Sequence, residues 1–135
     1  MNGKRKVYPV ILIPAEEGGY CVEVPDLSIH TQGEDLGDAL YMAQDAIEMM
    51  GVYLQDEKEP IPVPSDISEV TANVAEEIKT LVAVDFDAYR RKTEKKVVKK
   101  TLTIPSWLNV EAEAAGINFS ATLQEALKTK LGVET

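Results

Sequence analysis

Val97-Val98-Lys99-Lys100-Thr101-Leu102-Thr103-Ile104-Pro105 is the stretch whose reading decides the fold. Val98, Leu102 and Ile104 alternate with Lys99, Thr101 and Thr103, the period of two that sorts apolar and polar residues onto opposite faces of a strand. Lys100 falls in the apolar phase and interrupts it. Pro105 ends the strand, and Ser106 is placed to cap a helix. Leu108, Ala112 and Ala115 share one face of that helix, with Glu111 breaking into it, and Gly116 closes it. Asn118 is placed to cap a second helix, lined by Phe119, Leu123, Ala126, Leu127 and Leu131.

Strand, helix, helix in the 39 residues from position 97 to 135 is too little chain to bury a core by itself. A lone strand also leaves a row of unpaired backbone donors and acceptors, and the simplest cure is the same strand of a second chain, antiparallel. A homodimer is therefore expected through this segment, with Leu102, Ile104, Leu108, Leu123 and Leu127 as its core. Lys99, Thr101 and Thr103 of both chains then stand on the outer face of a two-stranded ribbon. Such a ribbon fits the DNA major groove, where lysine donates to guanine and threonine meets base edges or a thymine methyl. Spacing alone leaves open the plainer reading, that these are polar residues on a solvated strand.

Moving outward, the net charge of -9 conceals a split. Residues 1–89 hold five Lys/Arg and eighteen Asp/Glu, which is -13, whereas residues 90–135 hold nine and five, which is +4. Seven of those nine cations lie within residues 90–100. A basic block can hold phosphates, while an acidic domain is repelled by nucleic acid and attracted to a basic protein. Residues 90–100 are too polar for core, so a basic linker at 90–96 is expected between a domain at 1–89 and one at 97–135.

In the first domain, residues 6–14 read as a strand, Gly18-Gly19 as a turn, and residues 20–24 as the second strand of a hairpin that Pro25-Asp26 stops. Residues 27–32 add a third strand. Asp35 can cap a helix with Asp38 three residues on, and Leu36, Ala39, Ala43, Ala46, Ile47, Met50 and Leu54 form its apolar stripe, with Asp45 and Glu48 on the solvated side. Pro60, Pro62 and Pro64 force an extended surface loop, and residues 65–73 are ambiguous. Residues 80–86 read as a fourth strand in a central position, with Asp85 at its end. The fold class expected is α+β, a β-β-β-α-β domain followed by a β-α-α dimerisation domain.

Two resemblances sharpen this. Lys99 to Pro105, then Gly116-Ile117-Asn118-Phe119-Ser120 and Leu123-Gln124-Glu125-Ala126-Leu127, resemble the ribbon-helix-helix family represented by Arc, MetJ and CopG over about the last quarter of the chain. The resemblance implies base contacts from Lys99, Thr101 and Thr103, and a phosphate held at the start of the second helix by Asn118 and Phe119. Gly18-Gly19-Tyr20-Cys21-Val22-Glu23-Val24-Pro25-Asp26-Leu27, then Thr31-Gln32-Gly33-Glu34 and a helix carrying Ala39 and Ala46, is similar to HicB antitoxins. In that family the first domain is a degenerate RNase H-like fold that occludes a HicA toxin, an mRNA interferase, and a ribbon-helix-helix module that autorepresses the operon often follows. Where the family has proline-glycine-cysteine, this chain has Ser28-Ile29-His30, so no contact is carried over to that turn.

Other chemistry has little support. Asp26, Asp35, Asp38, Glu48, Asp85 and Asp87 are the carboxylates a metal-dependent nuclease would need, but nothing in their spacing shows that they converge, so no enzyme is expected. His30 has no second ligand or nucleophile near it, and Cys21, the single cysteine, reads as a buried strand residue; neither a metal site nor a cofactor follows. No apolar run approaches the ~20 residues of a membrane span, and a cytoplasmic protein is expected. The runner-up is a ribbon-helix-helix regulator whose first domain senses a ligand or another protein, with no toxin.

Overall fold

The computed structural model describes residues 5–133, so the outermost ends of the expected 1–89 and 97–135 domains lie outside it. The chain divides after Lys95 into two compact units.

The first unit is a four-stranded antiparallel sheet with strand order β3-β2-β1-β4, built from β1 (Arg5–Pro14), β2 (Tyr20–Val24), β3 (Ile29–Gly33) and β4 (Ile78–Asp85). In β1 the five consecutive residues 8–12 are buried, so both faces of this strand are covered and it lies inside the sheet. Gly18 and Gly19, at φ +100° and +75°, make the turn into β2, closed by the Gly18 amide donating to the Ala15 carbonyl at 3.1 Å. In β2 Val22 and Val24 face the core, which puts Cys21 on the other side of the sheet; it is exposed, not buried, because it belongs to the opposite phase of the alternation. The third strand starts two residues later than expected because Pro25–Leu27 wind into a 3-10 turn that Ser28 ends in the left-handed region at φ 54°.

Helix α1 (Leu36–Asp56) begins where the sequence placed it. Asp35 Oδ1 accepts from the Asp38 amide at 2.7 Å, and the Asp38 carboxylate returns to accept from the Glu34 amide at 2.9 Å, so each acid satisfies an orphan donor at the helix start. Ala39, Ala43, Ile47 and Gly51 recur every four residues on the buried face. The small members of that series let the helix lie close to the sheet. Ala39 sits directly on Gly33 of β3, and Gly51 sits on the ring of Phe86. Tyr8, Val10, Leu12, Val22, Val24, Val82, Val84 and Phe86 complete this core, with Ala46, Met50 and Leu54 packed at its margin. Leu36, expected in the stripe, is 44% exposed at the helix start.

The fourth strand corrects an expectation: β4 is an edge strand, not a central one. Its apolar look arises from Val82 and Val84 facing the core, while Leu81 and Ala83, also apolar, face outward and are exposed. Glu48 is corrected too, since its carboxylate accepts from the Asp85 amide at 3.1 Å and so lies at the junction of β4 with α1 rather than on the solvated side. On the far face of the sheet Ile11 and Val70 are buried, and the 3-10 turn Ile67–Glu69, capped by Asp66, resolves the ambiguous stretch 65–73. The proline loop is pinned to the sheet: the Tyr8 hydroxyl donates to the Pro62 carbonyl at 2.7 Å, and Asp26 accepts from both the amide (2.8 Å) and hydroxyl (2.6 Å) of Ser65.

Residues 90–96 are not wholly a linker. Phe86–Thr93 form helix α2, capped by Asp85, whose Oδ1 accepts from the Ala88 amide at 3.0 Å. Arg90 is drawn back onto the end of α1, pairing with Asp56 at 2.9 Å, donating to Gln55 at 3.0 Å and pairing with Glu94 at 3.3 Å. Cationic composition masked a helix whose buried residue is Phe86 and whose cations lie in its last turn, where they oppose the negative end of the helix dipole.

The second unit contains α3 (Ser106–Ala114) and α4 (Phe119–Leu131). The cap of α3 is Pro105, with no side-chain bond, so Ser106 is the first helical residue instead of the expected cap. Gly116 at φ +73° ends α3 by sending its amide to Glu113 at 3.0 Å, while the Ile117 amide reaches Ala112 at 3.1 Å, a Schellman closure. Asn118 caps α4 as expected, its Oδ1 accepting from the Ala121 amide at 2.9 Å. Neither helix has a buried residue.

Candidate functional site

Lys99, Thr101 and Thr103 lie in residues 97–105, all exposed, and the single chain forms no strand there. A strand is defined by its ladder, and one chain supplies no neighbour for this segment. Asn118 and Phe119 stand at the start of α4, with Asn118 occupied in capping and Phe119 exposed. Residues expected to form a dimer core are open to solvent in the single chain: Leu102 is 60% exposed, Ile104 48% and Leu127 51%, with Leu108 also exposed and Leu123 half-buried. Trp107 and Val110, on a neighbouring face of α3, are exposed as well. These apolar side chains lie at the surface of a short unit whose two helices bury none of their residues.

The basic block survives with one member removed. Arg90 is held by Asp56 and Glu94, contacts that keep its guanidinium protonated even more firmly than usual, so it is committed to the fold. Arg91, Lys92, Lys95, Lys96, Lys99 and Lys100 are exposed. They form a cationic run leading into residues 97–105.

Five of the six carboxylates singled out in the sequence accept from backbone amides. Asp26 holds Ser65, Asp35 and Asp38 hold the start of α1, Glu48 holds the Asp85 amide, and Asp85 caps α2. Among the described residues no three His, Cys, Asp or Glu side chains come together as a metal site. His30 is exposed on β3, across from Glu23 of β2. Among the described residues no helix is long and apolar enough to cross a membrane.

Sequence reasoning missed a surface where α1 meets the outer edge of the sheet. Leu40, Tyr41 and Gln44 of α1 and Leu81 and Val82 of β4 line a shallow open groove. Tyr41 and Leu81 are 57% and 52% exposed. Beside them Tyr89 of α2 has its hydroxyl pushed up in pKa, first by loss of water and then by the negative charges of Asp45 and Glu48 and by Tyr41. The available signal was Leu81, an apolar residue in the outward phase of its strand; it becomes readable once β4 is known to be an edge.

A family model described as the HicB_like antitoxin of bacterial toxin-antitoxin systems matches residues 8–127. Antitoxin HicB 1 of Photorhabdus laumondii is 44% identical over 85 residues, covering 59% of this chain and 55% of the relative, so the match spans little more than half of that protein. A chain of a toxin–antitoxin complex from Streptococcus pneumoniae is similar in structure with a TM-score of 0.59 at 26% identity, covering 93% of this chain and 99% of that one. The antitoxin HicB of Burkholderia pseudomallei shares the fold with a TM-score of 0.53 at 22% identity, covering 93% of this chain and 96% of that one.

Proposed function

The chain belongs to the HicB-like antitoxin family, whose model it matches over residues 8–127, and from that premise we propose that it neutralises a small basic toxin of HicA type and represses its own operon. The observation that carries the reading is the charge split along the sequence: -13 over residues 1–89 against +4 over residues 90–135. The acidic sheet unit, which we read as a degenerate RNase H-like domain, covers the RNA-binding face of the toxin, so that inhibition is steric. Opposite charge speeds the encounter, and apolar contacts set the lifetime of the complex.

The second unit is a ribbon-helix-helix module acting in the cytoplasm as a homodimer. Residues 97–105 of two chains pair as an antiparallel ribbon, covering Leu102 and Ile104 and completing the core between α3 and α4 of both copies. Lys99, Thr101 and Thr103 read bases in the operator, and the amide end of α4 at Asn118 and Phe119 holds a phosphate. The cationic run before them adds salt-dependent affinity for the backbone.

Two experiments test this. Co-expression of the full chain with the small basic protein encoded beside it should restore growth and yield a complex; a neighbour that neither binds nor loses toxicity removes the antitoxin reading. Thr101→Ala or Lys99→Ala should weaken operator binding by roughly 1–3 kcal/mol and relax base preference at one position. Unchanged affinity for a verified operator would take those side chains out of the interface.

A further inference from the structure

We infer that the free edge of β4, with the groove between it and α1, is where the first unit receives a basic protein, by accepting a strand of that partner alongside Leu81. The inference rests on the toxin-covering role proposed above and adds to it the place and mode of docking.

The backbone of β4 supports this. The Gln44 side-chain amide donates to the Ala83 carbonyl at 2.9 Å, so Ala83 presents its backbone away from β1. Backbone groups along a strand point alternately to its two sides, so Leu81 and Lys79 also present their N–H and C=O groups to the open edge. The register agrees. Leu81 lies opposite Pro9, which has no donor to give β4, and Pro9 turns its nitrogen toward the β2 side, where the β1–β2 ladder reaches only to Ile11–Glu23. The central strand thus loses no bond to its proline, and the edge keeps unpaired groups at Leu81 and Lys79. Gln44 occupies one end of that edge, which limits an incoming strand to the stretch before Ala83.

Side chains supply the selectivity. An added strand would lie against Tyr41, Leu40 and Leu81, which give it an apolar and aromatic seat of the kind that anchors protein interfaces. Asp45 stands one helical turn beyond Tyr41, with Glu48 and Tyr89 next to it. The cation on this edge, Lys79, is paired with Glu77 at 3.9 Å. A partner bearing lysine or arginine beside its edge strand therefore meets acid where the groove ends, whereas nucleic acid, or a second copy of this acidic unit, brings like charge to the same place.

The test uses the full chain co-purified with the small basic protein encoded beside it. Leu81→Pro removes a donor that faces the open edge without touching the β1–β4 ladder, and Asp45→Lys reverses the flanking charge. Each should weaken capture of the partner at least tenfold, while Val63→Ser, in the exposed proline loop, should not. Wild-type retention by both Leu81→Pro and Asp45→Lys, with unchanged circular dichroism, overturns the docking surface and leaves the antitoxin reading intact. If Leu81→Pro does not fold, Asp45→Lys and Tyr41→Ala decide: full retention by both overturns the proposal. A wild-type chain that fails to retain the partner overturns the antitoxin reading itself. If Leu81→Pro lowers the oligomeric state of the free chain but still captures the partner, the edge serves a second copy and the proposal falls.

Discussion

Gly33→Ala should destabilise the first unit by about 3 kcal/mol, lowering its melting temperature by more than about 10 °C. Gly33 ends β3 where the strand passes under α1, and a methyl group there would run into the backbone nitrogen and Cα of Ala39, with the Ala39 side chain 2.9 Å away. Backbone cannot rotate aside as a side-chain tip can. The helix would have to lift, carrying Ala43 and Ile47 off the sheet and opening the core they close. Gly33 does not occupy the left-handed region, so torsional strain is not the cause and alanine would gain about 0.4–1 kcal/mol from a less flexible unfolded chain. Overpacking outweighs that gain. Chemical denaturation monitored in the sheet unit measures the difference; a variant as stable as the wild type would mean that α1 slides without penalty, against the close fit of Ala39 on β3.

Leu102→Asp should abolish the homodimer at micromolar concentrations and with it operator binding, a loss of at least two orders of magnitude. In the ribbon proposed here Leu102 sits beneath both strands, so the substitution buries two carboxylates with no partner, and an unpaired buried charge costs several kcal/mol per ion. In the single chain the same residue is 60% exposed and touches no core, so the variant chain should keep its helical content and its first unit intact. Light scattering separates the outcomes. A dimer that persists in Leu102→Asp would place self-association elsewhere, and the ribbon would have to be abandoned. Ile104→Asp should behave alike, being in the same phase.

These two residues show how unequally the sequence speaks for different features. Leu102 stands out because the alternation that marks it spans only two residues and is visible in a line of text. Gly33 looks like an ordinary turn residue. That it is the floor on which Ala39 rests follows only from the approach of α1 to β3. The candidate interface on the second unit was legible for the same reason as Leu102, whereas the groove at Leu81 and Tyr41 joins residues forty positions apart and was not.

By itself the sequence determined what is local. The hairpin turn at Gly18-Gly19, the caps at Asp35 and Asn118, the stripe Ala39-Ala43-Ile47 and the helix stop at Gly116 all follow from interactions spanning two to five residues, whose geometry the backbone dictates. Tertiary structure decided what depends on which elements become neighbours. It set β4 at the edge rather than the centre, withdrew Arg90 from the basic linker to Asp56, turned Asp26 into the anchor of Ser65 and brought Tyr8 to Pro62 across 54 positions. An apolar run reads alike whether one or both of its faces are covered, and a charge reads alike whether or not it has a partner. Only the packing of distant segments tells those cases apart. Residues 97–105, the segment whose alternation reads most clearly as a strand, form none in the single chain; in the proposed ribbon the missing neighbour is a second copy.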